Sequence, residues 1–109
     1  LQVASVTDAD GAIAACRNTD GNGYLVEDEH VWAIQQQLAR EEGIFCEPAA
    51  AVSVAGALRA FEMGEISPDS TIVCMITGSG FKAPPSVEKM IGNAQCPLIT
   101  PEEVKQHMS

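Results

Sequence analysis

The chain has 109 residues, of which 46% are apolar and 19% are charged, a composition that excludes intrinsic disorder. Its net charge is −9 with six Lys and Arg residues, which argues against nucleic-acid and anionic-membrane partners because both are bound by basic clusters. An anionic cofactor is not excluded, since a few backbone N–H groups can bind phosphate inside an acidic protein.

The first half of the chain predicts one short strand and two helices. The apolar residues 1–6 predict the strand, residues 8–17 predict a short helix, and the Asn- and Gly-rich residues 18–23 predict a turn. The strongest helix signal spans residues 28–42 and ends at Gly43. Its apolar face is formed by Val31, Ile34 and Leu38.

The second half predicts a buried helix over residues 48–63. Pro48 fits the first turn of this helix and Gly64 is well placed to end it. The helix is nearly all apolar as far as Leu58, which is typical of a helix buried on several sides. Further along, the sequence predicts a short helix at residues 87–91 and a tail at residues 97–109, with a last helical turn at Thr100-Pro101-Glu102.

The best strand signal lies at residues 71–76, where five consecutive apolar residues follow Thr71. Strands of this kind are buried on both faces, as in a parallel sheet covered by helices. A helix, a buried helix and a buried strand in this order predict an α/β architecture. The buried helix and the strand both need more neighbours than this chain supplies, so we expect it to be a piece of a larger domain.

The predicted strand is followed at once by Thr77-Gly78-Ser79-Gly80. Open α/β sheets bind ligands at the carboxyl ends of their strands, and glycine lets the backbone turn sharply beside a flat ligand. Thr77 would offer one hydroxyl, which can donate or accept a hydrogen bond. An ordinary glycine turn is the alternative, and the local pattern alone favours it because short glycine motifs are weak evidence.

The four cysteines are far apart in the sequence and form no Cys-x-x-Cys pair. Cys46 and Cys74 lie in apolar runs, which predicts small buried hydrophobic residues in a reducing compartment, with two disulfides as the alternative. No stretch has transmembrane length and the start has no basic signal-peptide region, so a cytoplasmic location is expected. The chain begins at Leu1 without an initiator Met, which we interpret as a fragment or a processed product.

Three segments resemble motifs of threonine synthases. Residues 42–51, reading EGIFCEPAAA, resemble the EGIF-x-EPA segment, and residues 73–82, reading VCMITGSGFK, resemble the strand followed by TG-x-G-L-K. Residues 26–29 and the helix after them resemble the V-S-D-E-E-I helix. The motifs occur in the order of the family and together cover about residues 23–85. The departures from the family pattern, which concern the substrate more than the fold, are Ser79 for His, Phe81 for Leu and Ala50 for Ser.

The resemblance implies a fold-type II pyridoxal-phosphate enzyme. Residues 1–109 would be the carboxyl-terminal portion of its catalytic domain, a partial three-layer α/β sheet of the large domain ending in the tail. Thr77 matches the hydroxyl that meets the pyridine nitrogen of the cofactor, where a neutral partner tunes the cofactor as an electron sink. Gly78 and Glu47 are the other cofactor-binding candidates. A structural carboxylate at a helix start is an equally supported alternative for Glu47.

The resemblance also implies a reaction and a partner. Threonine synthases are lyases that convert O-phosphohomoserine, a small amino acid, and water to threonine and phosphate. The Schiff-base lysine and the glycine-rich phosphate loop of the family lie upstream of the residues present here. We therefore name no catalytic residue, expect the amino-terminal part of the enzyme as the partner, and expect no activity from the chain alone. Cysteate synthases and dehydratases are close alternatives, and homo-oligomer formation is left open.

A calcium-binding loop is the alternative function. Residues 18–29 fit an EF-hand loop, because Asn or Asp occupies the first, third and fifth positions, Gly23 the sixth and Glu29 the twelfth. Against this reading, Asn18 replaces the usual Asp, the incoming helix is short and no second loop is present. An ordinary Asn- and Gly-rich connection is therefore favoured over the loop. A plain interaction module is the third class that fits the composition.

Overall fold

The computed structural model describes residues 5–95 and 98–107, and these residues form five α-helices and one 3-10 turn. The helices are α1 (Ala9–Asn18), α2 (Asp28–Glu41), α3 (Pro48–Glu62), α4 (Pro84–Ile91) and α5 (Pro101–His107), with the 3-10 turn at Gly80–Lys82. The three helices predicted in the first two thirds of the chain are therefore confirmed. No described helix combines the length and the apolarity needed to cross a membrane.

The core lies between α2 and α3. The spacing of apolar residues in α2 places Val31 and Ile34 on one face, and both are buried as predicted, with Leu38 packed partly buried beside them. The facing residues of α3 are the small Ala50, Ala51 and Ala55, which are almost completely buried. Small side chains let the two helix backbones approach closely, so a compact core forms from few atoms.

Two glycines end these helices. Gly43 follows α2 with a φ of 68°, and Gly64 follows α3 with a φ of 74°. A left-handed backbone favours glycine because a Cβ atom is strained there. Both helix ends were predicted at these residues, and the chain then turns towards the segments that carry the candidate site.

Helix α4 packs against α2 through polar and aromatic contacts. The Gln36 side-chain amide donates a 2.9 Å hydrogen bond to the Met90 carbonyl. The Lys89 ammonium lies 3.1 Å from the centre of the Trp32 ring, which is cation–π geometry. These contacts hold the 3-10 turn and α4 close to the core.

The predicted sheet is not confirmed. In the part of the chain that the structure describes, residues 71–77 are neither helix nor strand, and the one β-type pairing joins Cys46 to Ser79 as an isolated bridge. A strand requires a neighbouring strand to accept and donate its backbone hydrogen bonds, and among residues 5–95 and 98–107 none lies beside residues 71–77. Of the other predicted strand, residues 1–4 lie outside the described residues, and residues 5–6 are not in a strand.

The loop before α2 is tied to the turn after α3 by a phenol–carboxylate hydrogen bond. The Tyr24 hydroxyl donates to Glu65 Oε2 over 2.5 Å, and Asn22 Nδ2 donates to the same oxygen over 3.3 Å. The hydrogen bond to Glu65, with a smaller effect of desolvation, raises the pKa of Tyr24 above its ordinary value of 10.0.

This hydrogen bond predicts a loss of stability at alkaline pH. Because the folded-state pKa is raised, the stabilisation is fully present below the ordinary value of 10.0 and is lost as the pH rises through the folded-state value. We expect the wild-type chain to lose stability above pH 10 by more than Tyr24→Phe does, measured by urea unfolding at a series of pH values. Equal losses in the two proteins would contradict the assignment.

Candidate functional site

Two chain segments that are distant in sequence meet at the candidate site. The backbone N–H of Glu47 donates to the Gly78 carbonyl over 3.0 Å, and the N–H of Gly80 donates to the Phe45 carbonyl over 3.1 Å. These bonds form the bridge between Cys46 and Ser79. They place the three predicted cofactor-binding residues close together, because Glu47 contacts Gly78 and Thr77 directly precedes Gly78 in the chain.

The Glu47 side chain lies over Gly78. Its carboxylate occupies the space in which a Cβ atom on Gly78 would stand, so a side chain at this position would collide with it. The Glu47 side chain is only 17% exposed, and its Oε1 lies 3.4 Å from the Lys82 ammonium. Lys82 ends the segment that resembles TG-x-G-L-K, and the sequence assigned it no catalytic role. In the structure it is the cation that partners Glu47.

The second glycine of the turn is covered by an aromatic ring. A Cβ atom on the buried Gly80 would lie 2.6 to 2.9 Å from three atoms of the Phe45 ring. Phe45 also meets Phe81 in an edge-to-face contact, with ring centres 5.0 Å apart and planes at 77°. Both glycines therefore lie under close packing, Gly78 under a flexible carboxylate and Gly80 under a rigid ring.

Thr77 is exposed to solvent, and within residues 5–95 and 98–107 its hydroxyl makes no hydrogen bond. The sequence predicted this hydroxyl at the carboxyl end of a strand buried on both faces. The described residues leave the hydroxyl one position before Gly78, whose carbonyl accepts the Glu47 N–H. They do not supply the cover over it.

A buried glutamine supports the site from behind, and sequence reasoning missed it. Gln35 Nε2 donates to the Cys46 carbonyl over 2.8 Å and to Ser86 Oγ over 3.2 Å. It thus connects α2 to the bridge residue Cys46 and to α4. Gln35 is 1% exposed, and its Oε1 has no hydrogen-bond partner among the described residues. The sequence signal that could have revealed Gln35 is its position four residues after Val31, which places it on the buried face of α2.

Comparison with known proteins identifies the family. The family model described as "Pyridoxal-phosphate dependent enzyme" matches residues 2–78, which is more than half of the chain. The chain belongs to this family. The region matched by the family model ends at Gly78, and it therefore includes all three cofactor-binding candidates, Glu47, Thr77 and Gly78.

Several relatives in this pyridoxal-phosphate-dependent family are threonine synthases. The protein from Methanosarcina acetivorans is 41% identical over 87 residues, 80% of this chain and 22% of the relative. The protein from Synechocystis is 37% identical over 93 residues, 85% of this chain and 24% of the relative. The protein from Halalkalibacterium halodurans is 42% identical over 73 residues, 67% of this chain and 21% of the relative. The chain thus spans about a fifth to a quarter of the length of these relatives.

One cysteine, Cys46, is buried at the bridge of the candidate site. Cys16, Cys46 and Cys74 are free thiols, and Cys96 lies outside the described residues. Burial raises the pKa of the Cys46 thiol, which opposes formation of the reactive thiolate. The prediction that Cys46 is a small buried hydrophobic residue is confirmed, whereas Cys74 is half-buried.

The loop at residues 18–29 does not gather acidic side chains. Within the described ranges, no group of three or more His, Cys, Asp or Glu residues is placed to hold a metal ion. The Asn22 side-chain oxygen accepts a 2.9 Å hydrogen bond from the N–H of the next residue, Gly23. Calcium binding by this loop therefore stays a prediction from the sequence.

Proposed function

We propose that this chain is the part of a threonine synthase-like enzyme that meets the pyridine ring of pyridoxal phosphate. The complete enzyme would convert O-phosphohomoserine and water to threonine and phosphate. The observation that supports this most strongly is the bridge between Cys46 and Ser79, which joins the EGIFCEPA segment to the Thr77 turn. Both resemblance motifs thereby contribute to one site, in a chain 41% identical to a threonine synthase.

The residues present fit one edge of the cofactor. Thr77 supplies an exposed hydroxyl that can hydrogen-bond a neutral pyridine nitrogen without holding it protonated. Gly78 lies beside it with no side chain, and Glu47 lies over Gly78. Bound pyridoxal phosphate supplies the electron sink of the reaction, and the neutral hydroxyl of Thr77 sets how strongly that sink acts.

The rest of the enzyme would supply the remaining groups. We propose that the lysine that binds the cofactor and the loop that binds its phosphate belong to the amino-terminal part of the enzyme. The chain described here would then be the carboxyl-terminal portion of the large domain and would be inactive alone. The nearest ammonium in the described site belongs to Lys82, and it is paired with the Glu47 carboxylate.

A graft tests the proposed function. This chain should replace the matched region of the Methanosarcina acetivorans threonine synthase. The grafted enzyme is expected to bind pyridoxal phosphate, with the absorbance band of the protein-bound cofactor, and to release phosphate from O-phosphohomoserine. A folded graft without a cofactor band would overturn the proposal. The band without phosphate release would overturn the substrate assignment and favour another reaction of the family.

Substitutions of Thr77 in the graft test its contact with the ring nitrogen. Thr77→Asp should shift the absorbance of the bound cofactor and lower turnover, because a carboxylate holds the nitrogen protonated. Thr77→Ser keeps the hydroxyl and serves as the matched control, with a spectrum close to that of the unsubstituted graft. If Thr77→Asp leaves both the spectrum and the rate unchanged, Thr77 does not contact the cofactor.

A further inference from the structure

The Cys46 carbonyl points away from the bridge that defines the candidate site. At this bridge, the flanking Phe45 carbonyl and Glu47 N–H both face the Ser79 segment. Backbone groups alternate in direction along an extended segment, so the carbonyl of Cys46 faces the opposite side. Cys46 is 1% exposed, and a buried carbonyl needs a hydrogen-bond donor. In a sheet a neighbouring strand would supply the donor, and here it is the Gln35 side chain, at 2.8 Å.

The same amide is connected to the other half of the bridge. Gln35 Nε2 also donates to Ser86 Oγ over 3.2 Å, and the Ser86 hydroxyl donates to the Ala83 carbonyl over 2.9 Å. Ala83 directly follows the 3-10 turn at Gly80–Lys82, and its N–H donates to the Gly80 carbonyl over 3.1 Å. One side chain of α2 is therefore connected to both of the segments that the bridge joins.

These two contacts depend on the chemistry of an amide. The side-chain nitrogen of glutamine carries two hydrogens, one for each acceptor, whereas a carboxylate has none to donate. Gln35 is 1% exposed, and its Oε1 has no hydrogen-bond partner among residues 5–95 and 98–107. An apolar side chain would fill the same space without an unpaired oxygen, so packing alone does not account for an amide at this position.

We propose that Gln35 is a positioning residue for the cofactor, because it fixes the bridge that holds the Thr77 hydroxyl in place. Thr77 directly precedes Gly78, whose carbonyl accepts the Glu47 N–H over 3.0 Å. The Thr77 hydroxyl makes no hydrogen bond in the part of the chain that the structure describes, so its position depends on the backbone that carries it. A shift of Cys46 is passed to that backbone through Glu47. The proposal rests on the proposed function, and the buried Gln35 acts only through these residues.

Hydrogen exchange tests the first step without the cofactor. Gln35→Met is close to glutamine in length and removes both hydrogen bonds. In the cofactor-free graft, we expect the Glu47 and Gly80 amides of the bridge to exchange at least about fivefold faster in this variant, because local opening becomes easier. Gln36→Met is the matched control, since it removes the 2.9 Å hydrogen bond to the Met90 carbonyl from the next position of the same helix. The control should leave both exchange rates nearly unchanged.

The cofactor-loaded graft tests the second step. Gln35→Met should shift the absorbance band of the bound cofactor and lower kcat for phosphate release by about tenfold. The KM for O-phosphohomoserine should change little, because position 35 is buried behind the turn. If the effect passes through the hydroxyl, it should largely disappear when Thr77 is already replaced by alanine. A loss of kcat of the same size in the Thr77→Ala background would show that Gln35 acts on the fold in general, and it would overturn the proposal.

A second variant and the unsubstituted graft separate the remaining outcomes. Ser86→Ala removes only the connection to Ala83, so it should accelerate bridge exchange less than Gln35→Met does, and it keeps the test valid if Gln35→Met does not fold. If the unsubstituted graft binds pyridoxal phosphate and the folded variants change neither bridge exchange nor the absorbance band, the positioning role is wrong and the proposed function stands. If the unsubstituted graft folds without binding the cofactor, both proposals fail.

Discussion

Replacing Gly80 by alanine is expected to destabilise the chain by about 1 to 3 kcal/mol, because the new methyl group must overlap the Phe45 ring. The overlap is with three ring atoms at 2.6 to 2.9 Å, and Gly80 is buried. The Phe45 ring is rigid, so its outer atoms cannot move away without the rest of the ring. Either the turn or the whole Phe45–Phe81 pair therefore has to shift. Urea unfolding followed by circular dichroism measures the change.

A double-mutant cycle assigns this cost to the ring. Phe45→Leu removes the atoms that the methyl group meets, so Gly80→Ala should cost markedly less in that background than in the wild-type chain. Equal costs in the two backgrounds would show that the ring does not cover Gly80.

Two other glycines serve as matched controls for Gly80. Gly78→Ala should cost less, about 0.5 to 1 kcal/mol, because the Glu47 carboxylate ends a flexible side chain and its partner Lys82 is 64% exposed. Gly56→Ala should stabilise the chain by about 0.5 to 1 kcal/mol, since Gly56 lies inside α3 with no atom near its added methyl group. A different order of the three changes in the free energy of unfolding would contradict the packing described for the turn.

Replacing Gln35 by glutamate is expected to destabilise the chain by about 3 to 5 kcal/mol at neutral pH. The substitution exchanges the Nε2 donor for an oxygen that faces the Cys46 carbonyl, and it places a charge where the side chain is 1% exposed. Gln35→Met should cost only about 1 to 3 kcal/mol, because it loses the hydrogen bonds but also removes the unpaired oxygen. The free energies of unfolding of both variants are measured from the loss of helical circular dichroism in urea.

The pH dependence separates charge from shape at this position. Burial raises the pKa of an introduced carboxyl group, so the Gln35→Glu variant should regain stability as the pH falls and the group becomes protonated. The exposed Gln37, which donates to Glu41 over 2.9 Å, provides the control, and Gln37→Glu should change stability by no more than about 0.5 kcal/mol. A cost for Gln35→Glu that does not depend on pH would show that position 35 is not buried in solution.

The sequence was sufficient for the helices but not for the sheet. The periodicity of α2, the proline that opens α3 and the glycines after both helices are local signals, and the structure has each helix at the predicted place. The strand at residues 71–76 depends on neighbours that the described residues do not contain. The apolar run predicted burial on both faces, whereas Val73 and Met75 are 92% and 74% exposed.

The candidate site was predicted only in part, because some of its contacts join residues that are distant in the sequence. The glycine motif drew attention to Thr77, but nothing local could show that Glu47 lies over Gly78 or that Lys82 pairs with Glu47 across 35 positions. Those contacts depend on the bridge that joins two distant segments. Gln35 could have been noticed earlier, because a polar residue on the apolar face of a predicted helix needs a partner when it is buried.

The contact between Lys89 and Trp32 gives this chain a built-in optical signal. Trp32 is its only tryptophan, and the ammonium of Lys89 lies over the ring from the neighbouring helix. The emission of an indole responds to a charge placed against it, so separation of α4 from α2 changes the fluorescence without any added dye. The same signal can follow, in real time, how assembly with the rest of the enzyme affects the helix beside the turn.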